Sequence, residues 1–224
     1  MKILFYDVMQ ISDSPGLAAL RSPALSETQL FTADSMAIDF SEDVVIDCVG
    51  IGNCEPGAEI TVMESPGNAC TVTYADDGLY PLQRKFTVRS ITIKAPAGTT
   101  IGRLALGRAI DVPTLVVKEP GINSTVKSRR TLSGQVVPGA GGYFYRTLSL
   151  DSRHRLGREA IGEIERGFPH IGMGYPFFID LSAESSKLTF NRLYAVERNQ
   201  KSLGLSRSTM HELYSKRWDF RQVF

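Results

Sequence analysis

A series of short alternating segments between residues 44 and 108 constrains the fold more than any other feature of the chain. Apolar and polar side chains alternate within each segment, as they do in a strand that buries one face. Turn-forming sequences rich in Pro, Gly and Asp separate the segments, and many short strands at this spacing predict an antiparallel β-sandwich. The strands are predicted at Val44–Val49, Ala58–Met63, Cys70–Tyr74, Arg84–Lys94 and Gly102–Arg108. The alternation changes phase near Ser90, which predicts a bulge or bend.

The rest of the chain predicts a second, β-rich α+β domain with one main helix. Val126–Val137 and Tyr143–Leu150 are interpreted as a hairpin around a glycine-rich turn. Apolar residues at helical spacing predict a helix over about 153–166, which Gly167 and Pro169 would end. Further strands are predicted at Tyr175–Leu181, Leu188–Glu197 and Ser208–Tyr214. The predicted fold class is therefore mainly β.

The formal charge changes sign along the chain. The total is only +1, but residues 1–120 contain 9 Lys and Arg against 15 Asp and Glu, a charge of −6; residues 121–224 contain 16 against 9, a charge of +7. Pro120 and Gly121 lie at the change and predict a turn and a domain boundary. The sequence leaves open whether a strand at Lys2–Val8 completes the second domain. The predicted parts are an N-terminal strand and loop (1–34), the sandwich (35–119) and the β-rich domain (120–224).

Length and composition exclude several classes of protein. A chain of 224 residues with 42% hydrophobic side chains can bury the core of one large or two small domains. No apolar run reaches the roughly 20 residues of a membrane helix, and Asp7 interrupts the stretch where a signal peptide would continue. Three cysteines do not make a disulfide framework, which predicts reduced thiols and synthesis in the cytosol. The near-zero total charge argues against a nucleic-acid partner.

Candidate catalytic and metal-binding residues form no complete set. His154, His170 and His211 are not accompanied by a serine in a nucleophile elbow, and the three cysteines lack the spacing of structural zinc. We therefore predict a non-enzymatic protein with no cofactor. A hydrolase with a dispersed site stays as an alternative. A structural cation also stays open at the acidic stretch of Asp39, Glu42, Asp43 and Asp47.

Charged residues of the second half suggest surfaces rather than active sites. Glu159, Glu163 and Glu165 alternate with arginines on the predicted helix, which is typical of a solvated face with ion pairs. Trp and Arg are favoured anchors at interfaces, although the tail aromatics can also dock into their own domain. The predicted subunit or partner interface comprises Arg129, Arg130, Arg146, Trp218 and Phe220.

Two stretches of the sequence resemble a known type of protein. The first comprises Ile46–Asn53, Phe86–Ile93 and Ile101–Arg108, and it resembles the galactose-binding-like (discoidin-type) jelly roll of bacteriophage structural proteins. The second runs from Thr131 through the helix to Asp180 and is similar to phage tail and baseplate proteins. Together they cover most of the chain outside about the first 30 and the last 40 residues.

This resemblance implies a virion structural protein of a phage tail tip or baseplate. It would be a ring subunit of distal-tail or adaptor type, made in the host bacterial cytoplasm, that contacts its own copies and other tail proteins. Because galactose-binding-like domains often bind sugars, the alternative is a carbohydrate-binding module that attaches to a host-surface glycan. The glycan-contact loop of this alternative would contain Tyr74, Asp76, Asp77 and Tyr80, with a core position for Tyr80 as an equal alternative.

Overall fold

Two antiparallel β-sheets form the body of the protein and confirm the predicted mainly β fold. The structure, a computed structural model, describes residues 2–4, 6–12, 14, 16–21, 27–31, 35–75, 77–111, 115–124, 128–130, 136–138, 144–151, 157–172, 177–180, 192–198, 206–207, 214–215 and 217–222. The described strands are β1 Lys2–Leu4, β2 Gln29–Leu30, β3 Ser35–Cys54, β4 Glu59–Ser65, β5 Asn68–Thr73, β6 Gly78–Lys94, β7 Thr100–Gly107, β8 Ile110–Asp111, β9 Leu115–Ser124, β10 Ser128–Arg130, β11 Val136–Pro138, β12 Phe144–Asp151, β13 Phe177–Asp180, β14 Arg192–Arg198, β15 Ser206–Arg207, β16 Tyr214–Ser215 and β17 Arg217–Gln222. The helices are a 3₁₀ helix at Val8–Ile11, α1 at Ala18–Arg21 and α2 at Arg158–Gly172. No helix in these ranges is long and apolar enough to cross a membrane.

The first sheet contains the alternating segments that the sequence predicts. Its order is β2-β7-β3-β6-β4-β5, and every pairing is antiparallel. One face covers the main core, where residues such as Ile38, Ile46, Phe86 and Leu104 are almost fully buried. The 3₁₀ helix and α1 contribute Met9 and Leu20 to the same core. Burial of this apolar surface is the main stabilising term for such a sheet.

A bulge interrupts the pairing of β3 with β6, as the phase change near Ser90 predicts. Asp39 lies opposite Ser90 and Val44 lies opposite Val88, so Phe40–Asp43 of β3 face the single residue Arg89 of β6. Bulges bend a strand and redirect its side chains. This one places two carboxylates, those of Glu42 and Asp43, in a cleft that residues of α2 and of the N-terminal segment also line.

The second sheet has the order β8-β1-β13-β14-β17-β12-β9 in the described residues. Strand β1 pairs with β13 and with β8, so the first residues of the chain join a sheet built mostly from its second half. The two sheets contact each other through a smaller buried cluster of Leu4, Cys48, Leu79, Ala105 and Phe178. Cys48 belongs to β3 and Phe178 to β13, which makes this cluster the junction of the sheets.

Three local expectations for the second half differ from the structure. Pro120 and Gly121 lie inside β9 rather than in a turn, because β9 is an edge strand and tolerates a missing N–H. Strand β12 does not pair with the preceding segment as a hairpin; it lies between β9 and β17, and the hairpin is β10–β11. Helix α2 begins at Arg158 and continues through Gly167 and Pro169 to Gly172. Helix α2 contacts β8 and β14, and tertiary packing commonly overrides helix propensity.

Candidate functional site

A polar cleft lies where the β3 bulge, the segment after β1 and helix α2 meet. Its volume is about 300 Å³, at the lower end of the range for small-molecule sites. The cleft, which we call the Tyr6 cleft, is lined by Tyr6, Val8, Glu42, Asp43, Val44, Val45, Arg108, Glu163 and Arg166. It therefore combines three valines, of which Val45 is the most exposed, with three carboxylates, two guanidinium groups and a phenol.

Tyr6 follows the last residue of β1 by two positions and lines the cleft. Its backbone packs against Gly107 at the end of β7, where a Cβ atom would lie only 2.8 Å from Leu4 Cδ1 and would collide with the Tyr6 carbonyl. The Tyr6 ring is half-buried. Burial raises the pKa of its phenol, and the negative charge of Glu42 raises it further, against the opposing charge of Arg166. The phenol is therefore neutral at pH 7 and retains its hydroxyl hydrogen.

The two bulge carboxylates differ in their partners. Asp43 Oδ1 accepts a hydrogen bond from Arg89 Nε at 2.9 Å in an ion pair whose side chains are 65% and 70% exposed. Such exposed pairs contribute about 0–1 kcal/mol. The exposed Glu42 carboxylate, in contrast, has no hydrogen bond or ion pair to any residue that the structure describes. Glu42 is thus the bulge carboxylate without a partner among the described residues.

Arg108 connects the end of β7 to helix α2. Its guanidinium donates to Glu159 and lies 3.9 Å (Nη1 to Oε1) from Glu163, which also accepts from Arg166 Nη1 at 3.2 Å. The hydrogen bond to Glu159 is the main reason that the pKa of Arg108 is raised. Two cations and two carboxylates thereby hold α2 against the sheet and form one wall of the Tyr6 cleft.

The prediction that the helix carboxylates form only a solvated face is wrong for one of them. Glu163 is 7% exposed, whereas Glu159 and Glu165 are exposed as expected. Alternating charges occur both on solvated helix faces and on faces that contact a cation elsewhere in the chain, so the pattern does not distinguish the two. Sequence spacing identifies the pair with Arg166 but not the contact with Arg108, which is separated from Glu163 by dozens of residues.

Hydrogen bonds hold the predicted glycan-contact loop together, but the rings of its two tyrosines are buried. Tyr74 and Tyr80 are 5% and 6% exposed, and their ring centroids are 6.3 Å apart. The Tyr74 hydroxyl donates to Asp77, which also accepts from Asn53 N at 2.6 Å, and the Tyr80 hydroxyl accepts from Ala75 N at 3.0 Å. Burial and the Asp77 contact raise the pKa of Tyr74. These two rings therefore stabilise the loop and offer no open aromatic face to a sugar; Asp76 lies outside the described residues.

The residues of the predicted subunit interface lie in separate sheets. Arg129 and Arg130 belong to the β10–β11 hairpin, opposite Val137 and Val136. Arg146 lies in β12 opposite Ile122, while Trp218 and Phe220 lie in β17 opposite Leu150 and Leu148. The two tail aromatics are thus part of the second sheet, and the interface itself stays a prediction. His154 and His211 lie outside the described residues, so the dispersed hydrolase site also stays open.

The thiols and acidic residues agree with a protein stabilised by packing. All three cysteines are free, with Cys48 and Cys70 buried, as the sequence predicts. Asp47 Oδ1 accepts from Ala109 N at 2.8 Å. In the part of the chain that the structure describes, no group of three or more His, Cys, Asp and Glu side chains is arranged to hold a metal ion. Within the acidic stretch, the side chains of Asp43 and Asp47 therefore have separate partners.

Comparison with known proteins gives weak structural similarity alone. No family model matches the chain, and no curated protein matches it. One similar structure is the carbohydrate-binding module "CpGH89CBM32-6 produced by Clostridium perfringens", with a TM-score of 0.31 and 11% identity over 43% of this chain and 90% of that one. Another is "CBM32 of AlyQ in complex with 4,5-unsaturated mannuronic acid", with a TM-score of 0.29 and 14% identity over 42% and 90%. Both have the galactose-binding-like fold, and at these TM-scores neither bears on the function of this chain.

Proposed function

We propose that the chain is a non-enzymatic carbohydrate-binding module that holds a sugar ring in the Tyr6 cleft. The observation that carries this proposal is the convergence of the Tyr6 phenol, the Glu42 carboxylate and the Arg108 guanidinium beside an apolar surface. A sugar ring presents hydroxyl groups at its edge and C–H groups on its faces. Carboxylates accept hydrogen bonds from such hydroxyls, and guanidinium and phenol groups donate to them.

The cleft geometry favours weak, reversible binding. Glu163 and Arg108 are already held by their ion pairs, so binding does not have to order their side chains. Glu42 is exposed, however, and the site covers little ligand surface. A dissociation constant on the order of 1 mM corresponds to about −4 kcal/mol, which a few hydrogen bonds and one apolar contact supply.

The proposal is tested by titrating isotope-labelled protein with monosaccharides and recording amide shifts by NMR. Tyr6→Phe, which removes the hydroxyl, weakens binding several-fold in this proposal. Glu27→Gln is the matched control, since Glu27 is exposed and does not line the cleft. Saturable shifts that Tyr6→Phe leaves unchanged would place any sugar elsewhere, and hydrolysis of a glycan by the purified protein would contradict the non-enzymatic part.

A role as a virion ring subunit of a phage tail tip or baseplate is the second proposal. Two features favour it: the opposite charges of the two halves, and a β10–β11 hairpin that carries Arg129 and Arg130 and pairs with neither large sheet in the described residues. Opposite potentials on one chain permit head-to-tail contact between copies. Such a protein would be made in the host cytoplasm and located in the virion.

Light scattering over a concentration series and mass spectrometry of virions test this second role. Assembly into a defined ring that Arg129→Glu with Arg130→Glu disrupts, without a change in thermal stability, is the expected result. A protein that stays monomeric at high concentration and is absent from virions would exclude it.

A further inference from the structure

The charged side chains around the Tyr6 cleft differ in whether they already have a partner. The two arginines of the cleft are already matched: Arg108 contacts Glu159 and Glu163, and Arg166 contacts Glu163. A carboxylate on a ligand would have to compete with the carboxylates of Glu159 and Glu163 for the same guanidinium N–H groups. The cleft therefore has guanidinium groups but no uncommitted positive charge.

Glu42, in contrast, supplies the cleft with a negative charge that is not committed to a described partner. It lines the cleft, belongs to the bulge of β3, and has no ion pair among the described residues. Burial raises the pKa of the Tyr6 phenol most, and the negative charge of Glu42 raises it further, so this carboxylate acts on the phenol. Three carboxylates line the cleft against two guanidinium groups that already have carboxylate partners, so a cation placed between Tyr6 and Glu42 is stabilised and an anion is repelled.

We infer that the Tyr6 cleft selects amino sugars whose amine is free and protonated, and that it rejects uronic acids. This inference rests on the proposed sugar-binding function. The ammonium group donates to the Glu42 carboxylate, while the ring hydroxyls engage Tyr6 and Arg108. Neutral sugars of the same shape bind more weakly, since they leave the Glu42 charge without a partner, and uronic acids bind most weakly.

A matched series of monosaccharides tests the inference. Glucosamine and glucuronic acid each differ from glucose at one carbon, C2 and C6 respectively, and galactosamine and galacturonic acid differ from galactose in the same way. In each series, titration at pH 7 and low salt is expected to show affinity at least about tenfold higher for the amine than for the uronic acid. N-acetylglucosamine, which is neutral, is expected to behave like glucose. Added salt reduces the preference, because the ligand contact at Glu42 is exposed.

Glu42→Gln separates the charge from the shape of the cleft. This variant is expected to reduce the preference for the amine over the neutral sugar to about twofold or less. Glu27→Gln is expected to keep the wild-type preference, and thermal denaturation verifies that both variants fold. Equal affinity for amine and uronic acid, or a preference that survives Glu42→Gln, would overturn the inference and leave sugar binding intact. Binding of none of the sugars would overturn the proposed function, and the inference with it.

Discussion

The ring of Phe178 lies directly on Gly50, and this contact joins the two sheets. A Cβ atom at Gly50 would lie 2.7 Å from Phe178 Cγ, closer than real side chains approach one another. Phe178 is fully buried in β13, and Gly50 is in the central strand β3 of the other sheet. The glycine is required here for close approach, and not for an unusual backbone angle.

The first prediction concerns this contact. Gly50→Ala forces Phe178 out of its position, and overpacking of this kind costs about 1–3 kcal/mol of unfolding free energy. Chemical denaturation measures the loss. Gly67→Ala is the control, since nothing lies within 4 Å of a Cβ there, and it is expected to be close to neutral. Equal stability of the two variants would mean that the sheets do not meet at Phe178.

The second prediction concerns the buried ion pair of Asp7 and Arg103. Asp7 accepts from Met9 N and Leu106 N, and Arg103 Nη2 lies 3.7 Å from Asp7 Oδ2. Burial raises the pKa of Asp7, and Arg103 opposes that rise. Arg103→Met leaves a buried carboxylate without its cation, so we expect a loss of about 3–5 kcal/mol at neutral pH.

The pH dependence of this variant follows from the same groups. An acid whose pKa is higher in the folded state stabilises the protein when protonated and loses that stability as pH rises through the folded pKa. Arg103→Met removes the opposing charge and raises the Asp7 pKa further, so its deficit is smaller at pH 5 than at pH 8. Arg89→Met, at an exposed pair, is expected to cost less than about 1 kcal/mol. A deficit that does not change with pH would exclude Asp7 as its cause.

The third prediction concerns thiol reactivity. Cys48 is fully buried, its Sγ donates to the Gly107 carbonyl at 3.2 Å, and burial holds its pKa well above the usual value. Cys54 is partly exposed with a raised pKa, so it reacts slowly at pH 7. Alkylation followed by peptide mass spectrometry is expected to label Cys54 first, and Cys48 and Cys70 only in denaturant. Rapid labelling of Cys48 in the folded protein would contradict the junction of the sheets described above.

The fourth prediction concerns the ion pairs that hold α2. Glu163 lies between Arg108 and Arg166, so Glu163→Gln weakens two contacts of the cleft wall. Hydrogen bonds to charged groups contribute about 1.5–3 kcal/mol, and we expect a loss near the lower value because Glu159 still binds Arg108. A double-mutant cycle with Arg108→Met measures the coupling. Additive effects would show that Arg108 and Glu163 do not interact.

The sequence predicts those parts of the fold that depend on neighbouring residues. Alternation identifies the strands of the first sheet, and its phase change near Ser90 identifies the bulge of β3 against β6. Pairing between segments that are far apart in the chain produces no such pattern in the local sequence. Strand β1 pairs with β13 more than 170 residues later, and β12 joins β17 rather than its sequence neighbours.

The Tyr6 cleft was not predictable for the same reason. Its lining comes from four separated segments, and each residue has an ordinary local explanation: Glu42 as part of an acidic stretch, Glu163 as part of a charged helix face. The aromatic residues that sequence reasoning assigned to a sugar, Tyr74 and Tyr80, lie in the core because their loop turns inward. Two local signals lie near the site: the bulge near Ser90, since bulges often redirect side chains at functional positions, and the acidic stretch that contains Glu42 and Asp43.

The most direct test of sugar binding in the Tyr6 cleft is a map of amide shifts on titration with glucosamine. Saturable changes at Tyr6, Glu42–Val45, Arg108 and the adjoining residues of α2, which need a higher glucosamine concentration in Glu42→Gln, are the predicted result. Changes confined to residues 74–80, or no changes at millimolar sugar, would contradict it.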